Sequence, residues 1–79
     1  MVTAYVLIVT EPGATRRVAV ALRDLVGVSE VHEVMGPYDV VAELEGVGLV
    51  DLPPLLADTI RTMDGVQSTT SLVTFPQSE

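Results

Sequence analysis

The stretch Val2 to Thr10, read as Val-Thr-Ala-Tyr-Val-Leu-Ile-Val-Thr, constrains the fold more than any other part of the chain. Its β-branched and aromatic residues make it a strand. Alternation sets Val2, Ala4, Val6 and Ile8 on one face and Tyr5, Leu7 and Val9 on the other. Both faces are apolar, so both must be covered. Helices of the same chain can cover one. The simplest cover for the other is a second copy of the chain.

Composition supports that expectation. At 79 residues the chain is read as a single domain, residues 1–79, and a domain of that size buries only about 60% of its unfolded surface. Yet 48% of its residues are apolar and the mean hydropathy is +0.47, more than a small monomer needs, which points to subunit contacts. No apolar run approaches the ~20 residues of a membrane span, and the N-terminus lacks the basic flank of a signal peptide. The expected location is the cytoplasm, with no membrane partner.

The formal net charge is −7, with four arginines and no lysine. Phosphate-backbone recognition needs clustered positive charge, so no direct nucleic-acid partner is expected. The absence of cysteine excludes disulfides, thiol nucleophiles and zinc–cysteine sites. The absence of lysine excludes Schiff-base chemistry.

After the first strand, Glu11-Pro12-Gly13 is a break, and Pro12 suits the start of a helix reaching about Val26. Val18, Ala21, Leu22 and Leu25 make its core stripe, while Arg16, Arg17, Arg23 and Asp24 face away. Arg16 and Arg17 near the helix start are read as a solvated face in preference to an anion site. Gly27 is read as a left-handed C-cap.

Two β-rich runs follow, Val28 to Met35 and Tyr38 to Glu45, joined by a short Gly36-Pro37 turn into a hairpin. Its tip carries Gly36, Pro37, Tyr38 and Asp39, a set that suits a small polar ligand with an amino group. The simpler reading, favoured by local chemistry alone, has Asp39 closing its own turn through nearby backbone.

Past Gly46-Val47-Gly48, Asp51 is read as an N-cap and Pro53-Pro54 fit a first helical turn. Leu52, Leu55, Leu56, Thr59, Ile60 and Met63 form an amphipathic stripe, closed by Gly65. Val66 to Phe75 reads as the last strand, with hydroxyls at Ser68, Thr69, Thr70 and Ser71. Gly27-Val28-Ser29-Glu30-Val31 and Gly65-Val66-Gln67-Ser68-Thr69 form a faint internal repeat. The order strand-helix-strand-strand-helix-strand is two interleaved β-α-β units. The expected fold class is therefore α+β, a ferredoxin-like βαββαβ domain: a four-stranded antiparallel sheet with two helices on one face, dimerising through the other.

Catalytic groups are scarce. His32 is the only histidine, on a strand beside Glu30, and reads as a solvated or interface residue. No nucleophile triad, phosphate loop, paired carboxylates or metal-ligand spacing emerges. The expectation is no enzyme, with no catalytic residue, metal or cofactor.

Four places together are moderately specific: Val31 to Asp39 (Val-His-Glu-Val-Met-Gly-Pro-Tyr-Asp), the strand continuing through Val40-Val41, the helix end Met63-Asp64-Gly65-Val66, and Ser68 to Val73. On these the chain resembles the C-terminal effector domain of the Lrp/AsnC transcription regulators, the RAM domain, over essentially its whole length. The resemblance implies an amino-acid-binding regulatory module that pairs into homodimers and rings of dimers, octamers or decamers. It implies effector binding where neighbouring dimers meet, against Met35, Gly36, Pro37, Tyr38 and Asp39, with Thr69, Thr70 and Ser71 close by. Asp39 would accept from the ligand's ammonium and backbone donors near Gly36 would hold its carboxylate. The chain starts directly in the first strand, so the expectation is a stand-alone module without a helix-turn-helix domain, with full-length Lrp/AsnC regulators as partners. Pro37 departs from the polar residue usual at its position and removes a backbone donor, which bears on ligand choice.

Three rival readings share this element order: an enzyme of the dimeric α+β barrel type, oxygenase- or isomerase-like, a ligand-free assembly module, and the ACT amino-acid-binding domain. The shortage of catalytic side chains speaks against the first, and Glu11-Pro12-Gly13 is a weak match to the glycine loop of the last.

Overall fold

The computed structural model describes residues 4–44 and 58–74. The elements run β1 (Ala4–Thr10), α1 (Thr15–Arg23), β2 (Val28–Glu33), β3 (Val40–Leu44), α2 (Asp58–Arg61) and β4 (Val66–Val73). The sheet order is β2-β3-β1-β4, and each neighbouring pair is antiparallel. This is the expected ferredoxin-like arrangement.

The strand with two apolar faces is central, between β3 and β4. Ala4, Val6 and Ile8 are buried beneath the helices, as are their β3 partners Leu44, Ala42 and Val40. Val18, Ala19 and Leu22 of α1 and Ile60 of α2 close the core from the other side. Side chains of this size each contribute about 1.5–3 kcal/mol on full burial. Tyr5, Leu7 and Val9 lie on the opposite face and are half-buried. Register places Val41 of β3 and Thr70 of β4 on either side of Leu7, and Leu72 beside Tyr5. Leu72 is half exposed. This open face is a mostly apolar strip.

Several bounds differ from the sequence expectation. Helix α1 starts at Thr15, not at Pro12. Pro12 and Gly13 form a turn instead, with Gly13 at φ 80° and the Ala14 N–H donating to the Glu11 carbonyl. The helix ends at Arg23, and single-turn bonds then carry the chain through Asp24 and Leu25 to Gly27 at φ 97°. Val18 and Leu22 are buried, while Ala21 and Leu25 are half-buried at the rim. In the second helix Ile60 is buried and Met63 packs against the core, but Thr59 is exposed. The rest of that stripe (Leu52, Leu55 and Leu56), Gly46 to Gly48, Asp51 and Pro53-Pro54 lie outside the described residues.

Candidate functional site

The β2–β3 connection is longer than a tight hairpin turn. The strands stop at Glu33 and start again at Val40, leaving 34–39 as a loop. Gly36 takes φ 140°, a backbone state that favours glycine. Asp39 ties the loop down at three points. Its carbonyl accepts from the Val34 N–H at 2.9 Å, and its own N–H donates to the Ile8 carbonyl at 2.9 Å. Its Oδ2 accepts from the Thr10 N–H at 2.9 Å. Asp39 therefore does more than close its own turn: its carboxylate bonds backbone 29 positions away in sequence.

That anchor continues into the helix layer. Thr10 is 6% exposed and is the one buried polar residue among the described residues. Its Oγ1 lies 2.8 Å from Thr15 Oγ1 at the start of α1, so the hydroxyl is satisfied where an apolar side chain would be expected. Sequence reasoning did not single out Thr10 or Thr15. The available signal was parity: Thr10 shares a face with Ala4, Val6 and Ile8, so a hydroxyl stands at a core position.

The remaining expected site residues are spread over the fold. Tyr38 is half-buried beside Asp39, whereas Gly36 and Pro37 are exposed and Met35 is 99% exposed. In β4, Thr69 and Ser71 stand opposite Ile8 and Val6, on the helix side of the sheet. Thr70 stands opposite Leu7, on the open side. Strand β1 lies between these hydroxyls and β3, which is a separation of about 10 Å for two strand spacings. One chain thus brings Tyr38 and Asp39 together but keeps Thr69, Thr70 and Ser71 apart from them.

A cavity of about 270 Å³ lies elsewhere, at the sheet edge formed by β2, lined by Arg23, Val28, Ser29, Glu30, Val31 and His32. None of the eight expected residues lines it. Arg23 Nη2 crosses the edge to donate to the Val31 carbonyl at 3.2 Å, which blunts the strand against further pairing. The other arginines are engaged as well. Arg16 pairs with Glu33 at 2.8 Å and Arg17 with Asp64 at 3.3 Å, and Arg61 pairs with Asp58. Arg16 and Arg17 thus meet carboxylates of their own chain on an exposed face.

Comparison with known proteins places this arrangement in context. The model of the Lrp/AsnC ligand binding domain matches residues 3–78. An uncharacterized HTH-type transcriptional regulator of Pyrococcus horikoshii is 33% identical over 76 residues, covering 92% of this chain and 51% of that protein. The chain spans about half the length of the curated relatives it matches. A Thermus thermophilus protein of solved structure superposes with TM-score 0.88 at 32% identity, covering 100% of this chain and 99% of the other. A transcriptional regulator of Neisseria meningitidis, solved as an L-Met complex, superposes with TM-score 0.80 over 99% of this chain and 52% of the other. At 16% identity that last likeness shows the fold alone.

Proposed function

The chain belongs to the Lrp/AsnC ligand-binding domain family, a family of transcription regulation, and from that premise we propose that it is an amino-acid-responsive effector module that pairs through its open sheet face. The pairs build rings of the octamer or decamer kind, and the effector sits at the β2–β3 loop where one pair meets the next. Full-length regulators of the family are the partners that read its state.

One observation carries this reading: Asp39 anchors the loop 34–39 to β1, and among the described residues its carboxylate is bonded through Oδ2, by the Thr10 N–H. A carboxylate accepts at both oxygens, so Oδ1 can take a bond from an ammonium without releasing the loop. The spread of Thr69, Thr70 and Ser71 over both sides of β4 fits a site completed by a neighbouring chain rather than a pocket within one.

The test is a thermal-shift screen against the twenty amino acids, L-methionine first, with light scattering read in parallel. A ligand that binds only the folded state adds about 2.7 kcal/mol at a hundredfold excess over its dissociation constant. The variant is Asp39→Asn, because an amide oxygen still accepts from Thr10 while the charge that meets an ammonium is gone. A shift with one or a few amino acids, lost in Asp39→Asn, is the expected result. If no amino acid shifts a protein that still assembles, the module is a ligand-free assembly unit.

A further inference from the structure

Two irregularities meet at Thr10. It is the last residue of β1, on the buried face after Ala4, Val6 and Ile8, yet it carries a hydroxyl. The β1–β4 register also slips there. Val9 stands opposite Ser68 but Thr10 stands opposite Val66, which leaves Gln67 as an extra residue on β4. A bulge of this kind bends a strand and re-aims the groups beside it. Bonds then fix the bent end from different directions. The next residue, Glu11, donates its N–H to the Gly65 carbonyl at 2.9 Å. The Thr10 N–H reaches Asp39 Oδ2 on the loop side. Thr10 Oγ1 lies 2.8 Å from Thr15 Oγ1 in the helix layer.

Stability alone does not call for that hydroxyl. Valine has nearly the same shape and suits a buried strand position better. Thr15 is half-buried, so water can satisfy its hydroxyl without Thr10. What a buried and fully bonded hydroxyl adds is a single local arrangement. We infer that Thr10 is a positioning residue for the candidate effector site. Its hydroxyl pair with Thr15 locks the end of β1 against α1, aims the Thr10 N–H at Asp39 and so fixes where Asp39 Oδ1 points. The inference rests on the reading of Asp39 as acceptor of an amino acid's ammonium. A carboxylate already in place meets the ammonium without first being ordered. Without the hydroxyl pair it takes several aims, and only the correctly aimed fraction binds. When that fraction falls to about one in ten, the apparent dissociation constant rises about tenfold.

The experiment is isothermal titration of the full chain with L-methionine, and with any other amino acid that stabilises it, beside amide hydrogen exchange followed by NMR. Thr10→Val is expected to weaken binding about tenfold, with a melting midpoint within about 4 °C of wild type. The amide at position 10 should exchange faster, while that of Val6 in the middle of β1 does not. Thr15→Ala removes the same pair from its other end. It is expected to give the same loss, with the double variant no weaker than either single one. Thr10→Ser keeps the hydroxyl and gives up the methyl group, so it should melt lower than Thr10→Val yet bind like wild type. Affinity that instead follows the melting order of these variants overturns the inference. So does wild-type affinity with unchanged exchange at position 10 in Thr10→Val, which leaves the reading of Asp39 intact. If no amino acid binds the wild type, the effector reading is overturned. Exchange at position 10 then decides by itself whether the hydroxyl pair holds the bond to Asp39, faster exchange in Thr10→Val upholding it and unchanged exchange overturning it.

Discussion

Asp39 Oδ2 accepts the Thr10 N–H at 2.9 Å, so a side chain of the β2–β3 loop caps the end of β1. The β1–β3 ladder registers only as far as Ile8 and Val40. Two residues further along β1, the Thr10 N–H points the same way as that of Ile8 and meets the carboxylate in place of a strand carbonyl. The bond is charge-assisted and joins the sheet end to the loop. Asp39→Ala leaves a partly buried donor unpaired and is expected to cost about 1–3 kcal/mol. Asp39→Asn keeps an acceptor and is expected to cost less than about 1 kcal/mol. Urea denaturation of both variants checks the pair, and equal losses would show that the Thr10 bond contributes nothing particular.

Gly65 and Gly36 both have positive φ but differ in their surroundings. A Cβ on Gly65 would lie 3.0 Å from Ala14 Cβ, 3.0 Å from Val18 Cγ2 and 3.1 Å from Arg17 Nη2. The Gly65 carbonyl also accepts from the Glu11 N–H at 2.9 Å, so this is where the turn after α2 is wedged against α1. Gly65→Ala combines strain and overpacking and is expected to cost about 2–4 kcal/mol. Gly36→Ala meets nothing within 4 Å and is expected to cost about 1–3 kcal/mol from φ alone. Thermal unfolding midpoints of the two variants should fall in that order.

Leu7 is the middle of the apolar strip on the open face, between Val41 and Thr70. Its side chain does not enter the core beneath the helices. Leu7→Asp is expected to leave a folded chain while raising the dimer dissociation constant at least a hundredfold, as burying an unpaired charge costs several kcal/mol. Sedimentation velocity beside circular dichroism separates the two effects. An undiminished dimer would place the pairing surface elsewhere.

The ion pairs on the outside of α1 carry little. Arg16 and Glu33 are 80% and 34% exposed at the side chain, and Arg17 and Asp64 are 60% and 95% exposed. Arg16→Ala and Arg17→Ala are each expected to change stability by less than about 1 kcal/mol. A larger loss on chemical denaturation would mean that these arginines act together rather than as separate exposed pairs.

Much of the architecture was legible because it rests on local periodicity. The alternation in Val2 to Thr10, the spacing of Val18 and Leu22, and the glycines after each helix all report what a few neighbouring residues do. Element ends were less legible. Pro12 read as a helix start, but a proline followed by glycine also makes a turn, and the bond from Ala14 to Glu11 settled it as one. The tight hairpin turn became a longer loop because Asp39 bonds Ile8 and Thr10 rather than continuing β3.

By itself the sequence determined the order of elements, the ferredoxin-like fold and the family, and it drew attention to Asp39 and His32. These follow from patterns within one element or from motifs contiguous along the chain. The tertiary structure decided what those residues touch. Thr10 and Asp39 are far apart in sequence, and only the pairing of β1 with β3 sets one amide against one carboxylate. The same register decided that Thr69 and Ser71 face the helices while Thr70 faces away, and that Glu30 stands against Glu43. Strand pairing is a non-local choice among many registers, made by the burial of a whole face at once, so no single stretch of sequence records it.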